Sequence, residues 1–157
     1  RLGIIEQHGI TLSQIQAEIA KLAPLPGAAD FLRWARQHFQ VAIISDTFYE
    51  FAMPLMAQLE EPFLLCHKLQ IEDDRIVGYR LRQKDAKRCS VKAFKSLSLN
   101  IIAAGDSFND VSMLEEADAG IFFQAPDNVR QQFPQYPLAS NYEELQSLIL
   151  QAQARFA

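Results

Sequence analysis

Residues 101–110 read IIAAGDSFND and decide the fold that we predict for this chain of 157 residues. The apolar residues 101–104 predict a short buried strand, because the run is too short for a helix and is closed by a Gly-Asp pair. Two carboxylates and an amide, from Asp106, Asp110 and Asn109, follow within one turn. Such a cluster of hard oxygen ligands suits Mg²⁺. The alternative is an acidic helix N-terminus that the helix dipole favours.

A second apolar run, residues 39–44, predicts another buried strand, which ends abruptly at Ser45, Asp46 and Thr47. In open parallel α/β sheets, ligands bind outside the carboxyl ends of the strands. A hydroxyl group and backbone N–H groups before the next helix form a natural seat for an oxyanion or a phosphate. A simple Ser/Thr/Asp helix cap is the alternative interpretation.

Basic residues precede one of the predicted helices. Lys84, Lys87 and Arg88 lie just before or within the first turn of a helix that Asp85 is expected to cap. The helix dipole opposes a cation at this end, so a nearby anion would compensate. A phosphate site fits this pattern, and solvated surface charge is the alternative.

The rest of the chain alternates amphipathic helices with short apolar strands, which is typical of a parallel sheet covered by helices. Further strands are predicted at residues 62–66 and 120–123, and a hairpin with an acidic tip at residues 72–74. We therefore predict an α/β protein, a Rossmann-like three-layer sandwich with a mostly parallel sheet. Residues 1–24 are predicted to be helical only, as part of a helical cap, and residues 25–157 to form the core domain.

Composition and motifs exclude several classes of protein. A net charge of -4 without a Lys/Arg block gives no general attraction to nucleic acid or to an anionic membrane. No zincin, serine hydrolase, P-loop or dinucleotide-binding pattern occurs. Cys66 and Cys89 form no metal-ligand pair and are expected to be reduced thiols in a cytoplasmic protein.

Three elements in this order resemble motifs two, three and four of the haloacid dehalogenase superfamily. They are an apolar strand ending in Ser45, a lysine before a helix, and the G-D-x-x-N-D sequence of residues 105–110. The sequence ISDTFYEF at residues 44–51, with LRQKD at 81–85, resembles the subgroup called phosphoserine phosphatase/homoserine phosphotransferase. Ordinary phosphoserine phosphatases tend to have Ser-Gly-Gly-Phe where this chain has Ser45-Asp46-Thr47-Phe48.

The resemblance implies a Mg²⁺-dependent phosphatase that acts on O-phosphoserine through an aspartyl-phosphate, with transfer to homoserine as a second reaction. It also implies the roles of individual residues. Asp106 would bind Mg²⁺, Asp110 would hold the lysine, and Lys87, with Lys84 in reserve, would neutralise the phosphate. The implied substrate- or phosphate-binding residues are Ser45, Asp46, Asn109 and Arg1.

The family's nucleophile lies in a D-x-[DE]-G motif at the end of its first strand, and these 157 residues contain no such motif. We therefore expect that they belong to a longer protein, that the first strand of the core domain lies upstream, and that the chain as given is inactive. A non-catalytic phosphate- or Mg²⁺-binding module is the alternative function. A receiver-like signalling domain is disfavoured by the late G-D-x-x-N-D cluster, and a homodimer is plausible for such metabolic enzymes.

Overall fold

The computed structural model describes residues 9–156 and divides the chain into two compact units, Arg1–Lys84 and Asp85–Ala157. The boundary between the units thus follows residue 84. The assignment of residues 1–24 to a cap stays a prediction. Within residues 9–156, no helix has the length and the apolar character that crossing a membrane requires.

In its described residues, 9–84, the first unit combines three helices with a three-stranded mixed sheet. Its strands are ordered β1-β2-β3, with β1 parallel to β2 and β2 antiparallel to β3. The elements in chain order are α1 (Leu12–Ile19), α2 (Ala28–His38), β1 (Ile43–Phe48), α3 (Tyr49–Gln58), β2 (Leu64–Glu72) and β3 (Arg75–Arg80).

The strand predicted at residues 39–44 is shifted along the chain, and that prediction of its bounds was wrong. Phe39 ends α2, where its N–H donates to the carbonyl of Ala35. β1 begins at Ile43, whose N–H donates to the carbonyl of Phe63, and it continues through the polar residues 45–47. Pairing with β2, rather than apolar character, decides where this strand ends.

Pro54 lies inside α3, where a proline normally leaves a carbonyl without a partner. The carbonyl four residues earlier belongs to Glu50, and the side chain of Gln16 donates to it at 2.7 Å. The donor comes from α1. The helix therefore tolerates its proline because a neighbouring helix satisfies the free carbonyl.

The acidic tip of the β2–β3 hairpin caps α1. The N–H of Leu12 donates to the carbonyl of Asp74 at 2.8 Å. The carboxylate of Asp74 accepts from the N–H of Ser13 at 3.0 Å and from its hydroxyl at 2.9 Å. The hydrogen bond from the Ser13 hydroxyl is the main reason that the pKa of Asp74 is lowered. Thr11 caps the same helix in a capping box with Gln14.

Both cysteines are free thiols. Burial and the negative charge of Glu50 raise the pKa of Cys66 to about 11, and the positive charge of Arg82 opposes this shift. This thiol therefore stays protonated near neutral pH, where it is a poor nucleophile.

The second unit is a parallel sheet with helices packed on it. Its strands are ordered β4-β5-β6 and both pairings are parallel. With β1–β2, three of the four pairings in the described residues are parallel, which confirms the predicted α/β class. The elements are α4 (Ala86–Ser96), β4 (Ile102–Gly105), a 3-10 turn (Phe108–Asp110), α5 (Val111–Glu116), β5 (Ala119–Phe123), α6 (Asp127–Arg130), β6 (Leu138–Ala139) and α7 (Tyr142–Gln153).

Two helix starts in this unit behave differently. Asn141 caps α7, because its side chain accepts the N–H of Glu144 at 2.9 Å. Asp85 precedes α4 as predicted, but its side chain does not cap that helix. It accepts the hydroxyl of Ser112 at 2.8 Å instead, which links the start of α4 to α5.

Asp118 ties the beginning of β5 to the beginning of β4. Its carboxylate accepts the N–H of Ile101 at 2.8 Å and lies 2.9 Å from Lys95 Nζ. The backbone hydrogen bond from Ile101, and then Lys95, hold the pKa of Asp118 below its ordinary value against partial burial.

We expect Asp118→Asn to lower the free energy of unfolding at neutral pH and to have less effect in acid. A carboxyl group whose pKa falls on folding stabilises the protein above its unfolded pKa of about 4, and this contribution is lost as the pH falls through the folded value. Urea unfolding at neutral pH and at about pH 3 measures the difference. Asp127→Asn, at an exposed aspartate of α6, is the control. An effect of Asp118→Asn that persists undiminished in acid would contradict the assignment.

Candidate active site

The sequence Gly105–Asp110 forms a tight turn at the carboxyl end of β4. Ser107 is the N-cap of the 3-10 turn, and it forms a reciprocal capping box with Asp110. The turn continues directly into α5. The predicted cluster of Asp106, Asn109 and Asp110 is therefore gathered at a strand end by local hydrogen bonds, without help from distant residues.

Asp110 is the hub of this turn and is buried, with 6% of its surface exposed. One carboxylate oxygen, Oδ2, accepts three hydrogen bonds: from the N–H of Asp106 at 3.0 Å, the N–H of Ser107 at 3.1 Å and the hydroxyl of Ser107 at 2.9 Å. These bonds fix the rotamer of Asp110. The other oxygen, Oδ1, is thereby aimed away from its own loop.

Oδ1 of Asp110 accepts a hydrogen bond from Lys87 Nζ at 2.7 Å. The side chains of the lysine and the aspartate are 12% and 8% exposed, so this is a nearly buried ion pair. Lys87 lies in the first turn of α4, where the helix dipole opposes a cation, and Asp110 supplies the compensating anion. The geometry matches the arrangement that the resemblance implies, whereas the neighbouring Arg88 pairs with Glu116 at 2.9 Å.

The pKa values of the two carboxylates of the turn, Asp110 and Asp106, are shifted in opposite directions. Burial alone would raise the pKa of Asp110, but the hydrogen bond and charge of Lys87, together with the bonds from Ser107 and Asp106, hold it below the ordinary range. Partial burial, and then the neighbouring Asp110, raise the pKa of Asp106, and Lys87 offsets this only in part. Asp110 is thus a fixed anion, and Asp106 carries a charge that its surroundings disfavour.

Gly105 is required by the close approach of Asp110. A Cβ atom added at residue 105 would lie 2.4 Å from the Cβ of Asp110 and 2.6 Å from its Cγ. Real Cβ atoms do not approach other atoms so closely, and Asp110 is held by four hydrogen bonds. Any side chain at residue 105 would therefore displace the hub of the turn.

Asp106 and Asn109 are exposed at the end of β4. Among the described residues, no group of three or more His, Cys, Asp or Glu side chains forms a ready-made metal cage. Mg²⁺ does not need one, because it is commonly held by one or two carboxylates with waters and phosphate oxygens. The exposed carboxylate of Asp106, destabilised by Asp110 beside it, fits such an ion as a single protein ligand.

In the first unit, Ser45, Asp46 and Thr47 form a bulge in β1. The register pairs Ile44 with Leu65 and Phe48 with His67, so three residues of β1 lie opposite the single residue between those partners on β2. Bulges re-aim side chains and are frequent beside active sites. Ser45 Oγ accepts the N–H of Thr47 at 3.3 Å, and a hydroxyl that accepts can still donate its own hydrogen.

His67 is a residue that sequence reasoning missed, because the three histidines are scattered along the chain. It lies on β2, is 7% exposed, and its Nε2 is 4.0 Å from Asp46 Oδ1. The only sequence signal is its place in the strand that follows α3. The pairing of β2 with the bulged β1 places His67 near Asp46, and the sequence does not reveal this pairing.

The remaining predicted site residues fall elsewhere. Lys84 is exposed at the end of the first unit, and Lys87 makes a contact with Asp110. Arg1 lies outside the described residues. The roles of all of these residues in a reaction stay predictions.

A mostly parallel α/β architecture combines with a nearly buried lysine–aspartate pair and an exposed carboxylate at a strand end. The chain belongs to the haloacid dehalogenase-like hydrolase family, whose model matches residues 4–118. This confirms the family that the sequence motifs indicated.

Individual relatives give a more specific comparison than the family model. The chain is 59% identical over 156 residues to phosphoserine phosphatase ThrH of Pseudomonas aeruginosa, covering 99% of this chain and 76% of that protein. It is 57% identical to a phosphoserine phosphatase of Pseudomonas syringae pv. tomato, of which it covers 66%. A crystal structure of a phosphoserine phosphatase from T. onnurineus superposes with a TM-score of 0.70 at 27% identity, covering 89% of this chain and 66% of that one.

Proposed function

We propose that the protein is a Mg²⁺-dependent phosphoserine phosphatase. The observation that carries the proposal is the nearly buried Lys87–Asp110 pair beside the exposed carboxylate of Asp106. Relatives that carry the name phosphoserine phosphatase are 59% and 57% identical to this chain. Because the chain spans only part of their length, the activity is proposed for the protein of the full reading frame.

Lys87 is proposed to neutralise the transferring phosphoryl group. An ammonium group carries three hydrogens, and one of those on Lys87 Nζ is donated to Asp110. Asp110 keeps the ammonium in one position, because it is itself a fixed anion. A preorganised cation of this kind stabilises charge that develops in the transition state.

The other residues are proposed to bind the substrate. Ser45 donates its hydroxyl hydrogen to a phosphate oxygen, and Asp46, Asn109 and Arg1 contact the phosphate or the polar end of the substrate. Asp106 holds Mg²⁺. When bound, the ion supplies positive charge to the phosphate oxygens.

The test is Mg²⁺-dependent release of phosphate from O-phospho-L-serine by the protein of the full reading frame, with chelator as the metal control. We expect saturable release that chelator abolishes and Mg²⁺ restores. O-phospho-L-threonine, which adds one methyl group, measures selectivity. The same assay on residues 1–157 alone tests the expectation that this segment is inactive.

Addition of homoserine to the same assay tests transfer, since the acceptor is then an alcohol instead of water. Formation of phosphohomoserine would extend the proposal to a phosphotransferase. Binding of phosphate and Mg²⁺ without turnover by the full-length protein would contradict the phosphatase proposal and favour a non-catalytic binding module. Cytoplasmic location and a homodimer remain predictions that the assay does not address.

A further inference from the structure

The buried histidine of β2 has no part in the proposed phosphoryl transfer. His67 is 7% exposed and lies opposite Phe48 in the parallel pairing of β1 and β2. The rings of Phe48 and His67 are 6.1 Å apart, and Phe48 also packs edge-on against Tyr79 at 6.0 Å. This packing leaves the imidazole few orientations, so its two nitrogen atoms point in defined directions.

One of those nitrogens has a fixed role. Nδ1 lies 3.1 Å from the backbone nitrogen of Arg82, which is a donor. Nδ1 must therefore accept, and the neutral ring carries its hydrogen on Nε2. The hydrogen bond anchors the chain just beyond β3.

The Nε2–H group faces the bulge of β1. Its nitrogen is 4.0 Å from Asp46 Oδ1, a distance that one bridging water or a small side-chain movement converts into hydrogen bonding. The side chain of Asp46 is half-exposed, at 45%.

We propose that His67 is a positioning residue that holds Asp46, and through it the bulge that presents Ser45. The inference rests on the proposed function for its catalytic consequence. The contact itself can be tested without turnover.

The first test is the tautomer of His67, read by long-range ¹⁵N–¹H NMR of the full-length protein. We expect the neutral ring to be protonated on Nε2, and Asp46→Asn to shift the Nε2 resonance. Asp30→Asn, at an exposed aspartate that pairs with Arg33, is the control and should leave it unchanged. A ring protonated on Nδ1, or an Nε2 resonance that ignores Asp46→Asn, would overturn the proposal even if the enzyme is active.

The second test separates positioning from packing with two substitutions. In His67→Asn the amide oxygen takes the place of Nδ1 and keeps the acceptor for Arg82, but the donor toward Asp46 is lost. In His67→Gln the amide nitrogen takes the place of Nε2 and keeps that donor. Since a misplacement of about 1 Å can cost on the order of 100-fold in rate, we expect about a tenfold loss of kcat/KM in His67→Asn.

His67→Gln should retain most of the wild-type activity. It loses the hydrogen bond from Arg82, so it should be less stable in urea than His67→Asn. His67→Asn should add nothing to the loss that Asp46→Asn causes alone. The exposed His38→Asn is the control for substitution of a histidine. Two results would show that His67 contributes only packing. One is that the losses from His67→Asn and Asp46→Asn are additive. The other is that the activity of the variants follows their stability and not the presence of a donor toward Asp46. Absence of activity in the wild-type protein would contradict the proposed function. The NMR result would still show whether His67 contacts Asp46.

Discussion

Replacement of Lys87 by methionine is expected to lower kcat/KM for O-phospho-L-serine by about 100- to 1000-fold, which is the usual cost of removing one preorganised group that stabilises transition-state charge. Methionine keeps the length of the side chain and removes the ammonium. The loss should fall mainly on kcat, because the charge on the phosphoryl group grows in the transition state.

The same substitution should destabilise the second unit by about 3 kcal/mol, since removal of one partner leaves a buried charge uncompensated. The carboxylate left behind is Asp110, whose side chain is 8% exposed. Its three remaining hydrogen bonds keep the cost at the lower end of the range. Urea unfolding measures this effect independently of activity.

Two matched substitutions make the result interpretable. Lys92→Met changes an exposed lysine of the same helix and should leave activity and stability unchanged. Lys84→Met removes the reserve candidate. If Lys84→Met abolishes activity while Lys87→Met does not, the phosphate lysine is Lys84, and the pair with Asp110 is purely structural.

The turn after β4 could be predicted because its interactions are local. Ser107 and Asp110 are three residues apart, so a sequence that permits a capping box largely determines the geometry. Asn141 at the start of α7 is predictable for the same reason. The partner of Lys87 could be inferred only from family resemblance, because 23 residues separate it from Asp110.

The rest of the candidate site depends on contacts between distant segments. The bulge of β1 exists only in relation to the register of β2, and neither strand alone specifies it. Apolar periodicity therefore placed β1 too early, and it did not distinguish buried His67 from a surface histidine. In the same way, the side chain of Gln16 that satisfies the carbonyl freed by Pro54 comes from another helix.

Addition of a single methyl group at residue 105 is expected to be as damaging as loss of the lysine. In Gly105→Ala the new Cβ would lie 2.4 Å from the Cβ of Asp110, and neither atom is at the end of a flexible side chain. Either β4 shifts or Asp110 leaves Lys87. We expect a loss of about 3 kcal/mol in the free energy of unfolding, and a fall in kcat, because the lysine loses its anchor.

Gly78→Ala is a matched control for this substitution. Its new Cβ would also meet an atom at 2.4 Å, but that atom is Oε1 of Gln70, the far end of a flexible and exposed side chain that can turn away. Gly78→Ala should therefore change stability little. Equal effects of the two substitutions would show that crowding alone is responsible. Full activity in Gly105→Ala would show that the position of Asp110 does not control Lys87, and the proposed division of roles between these two residues would fail.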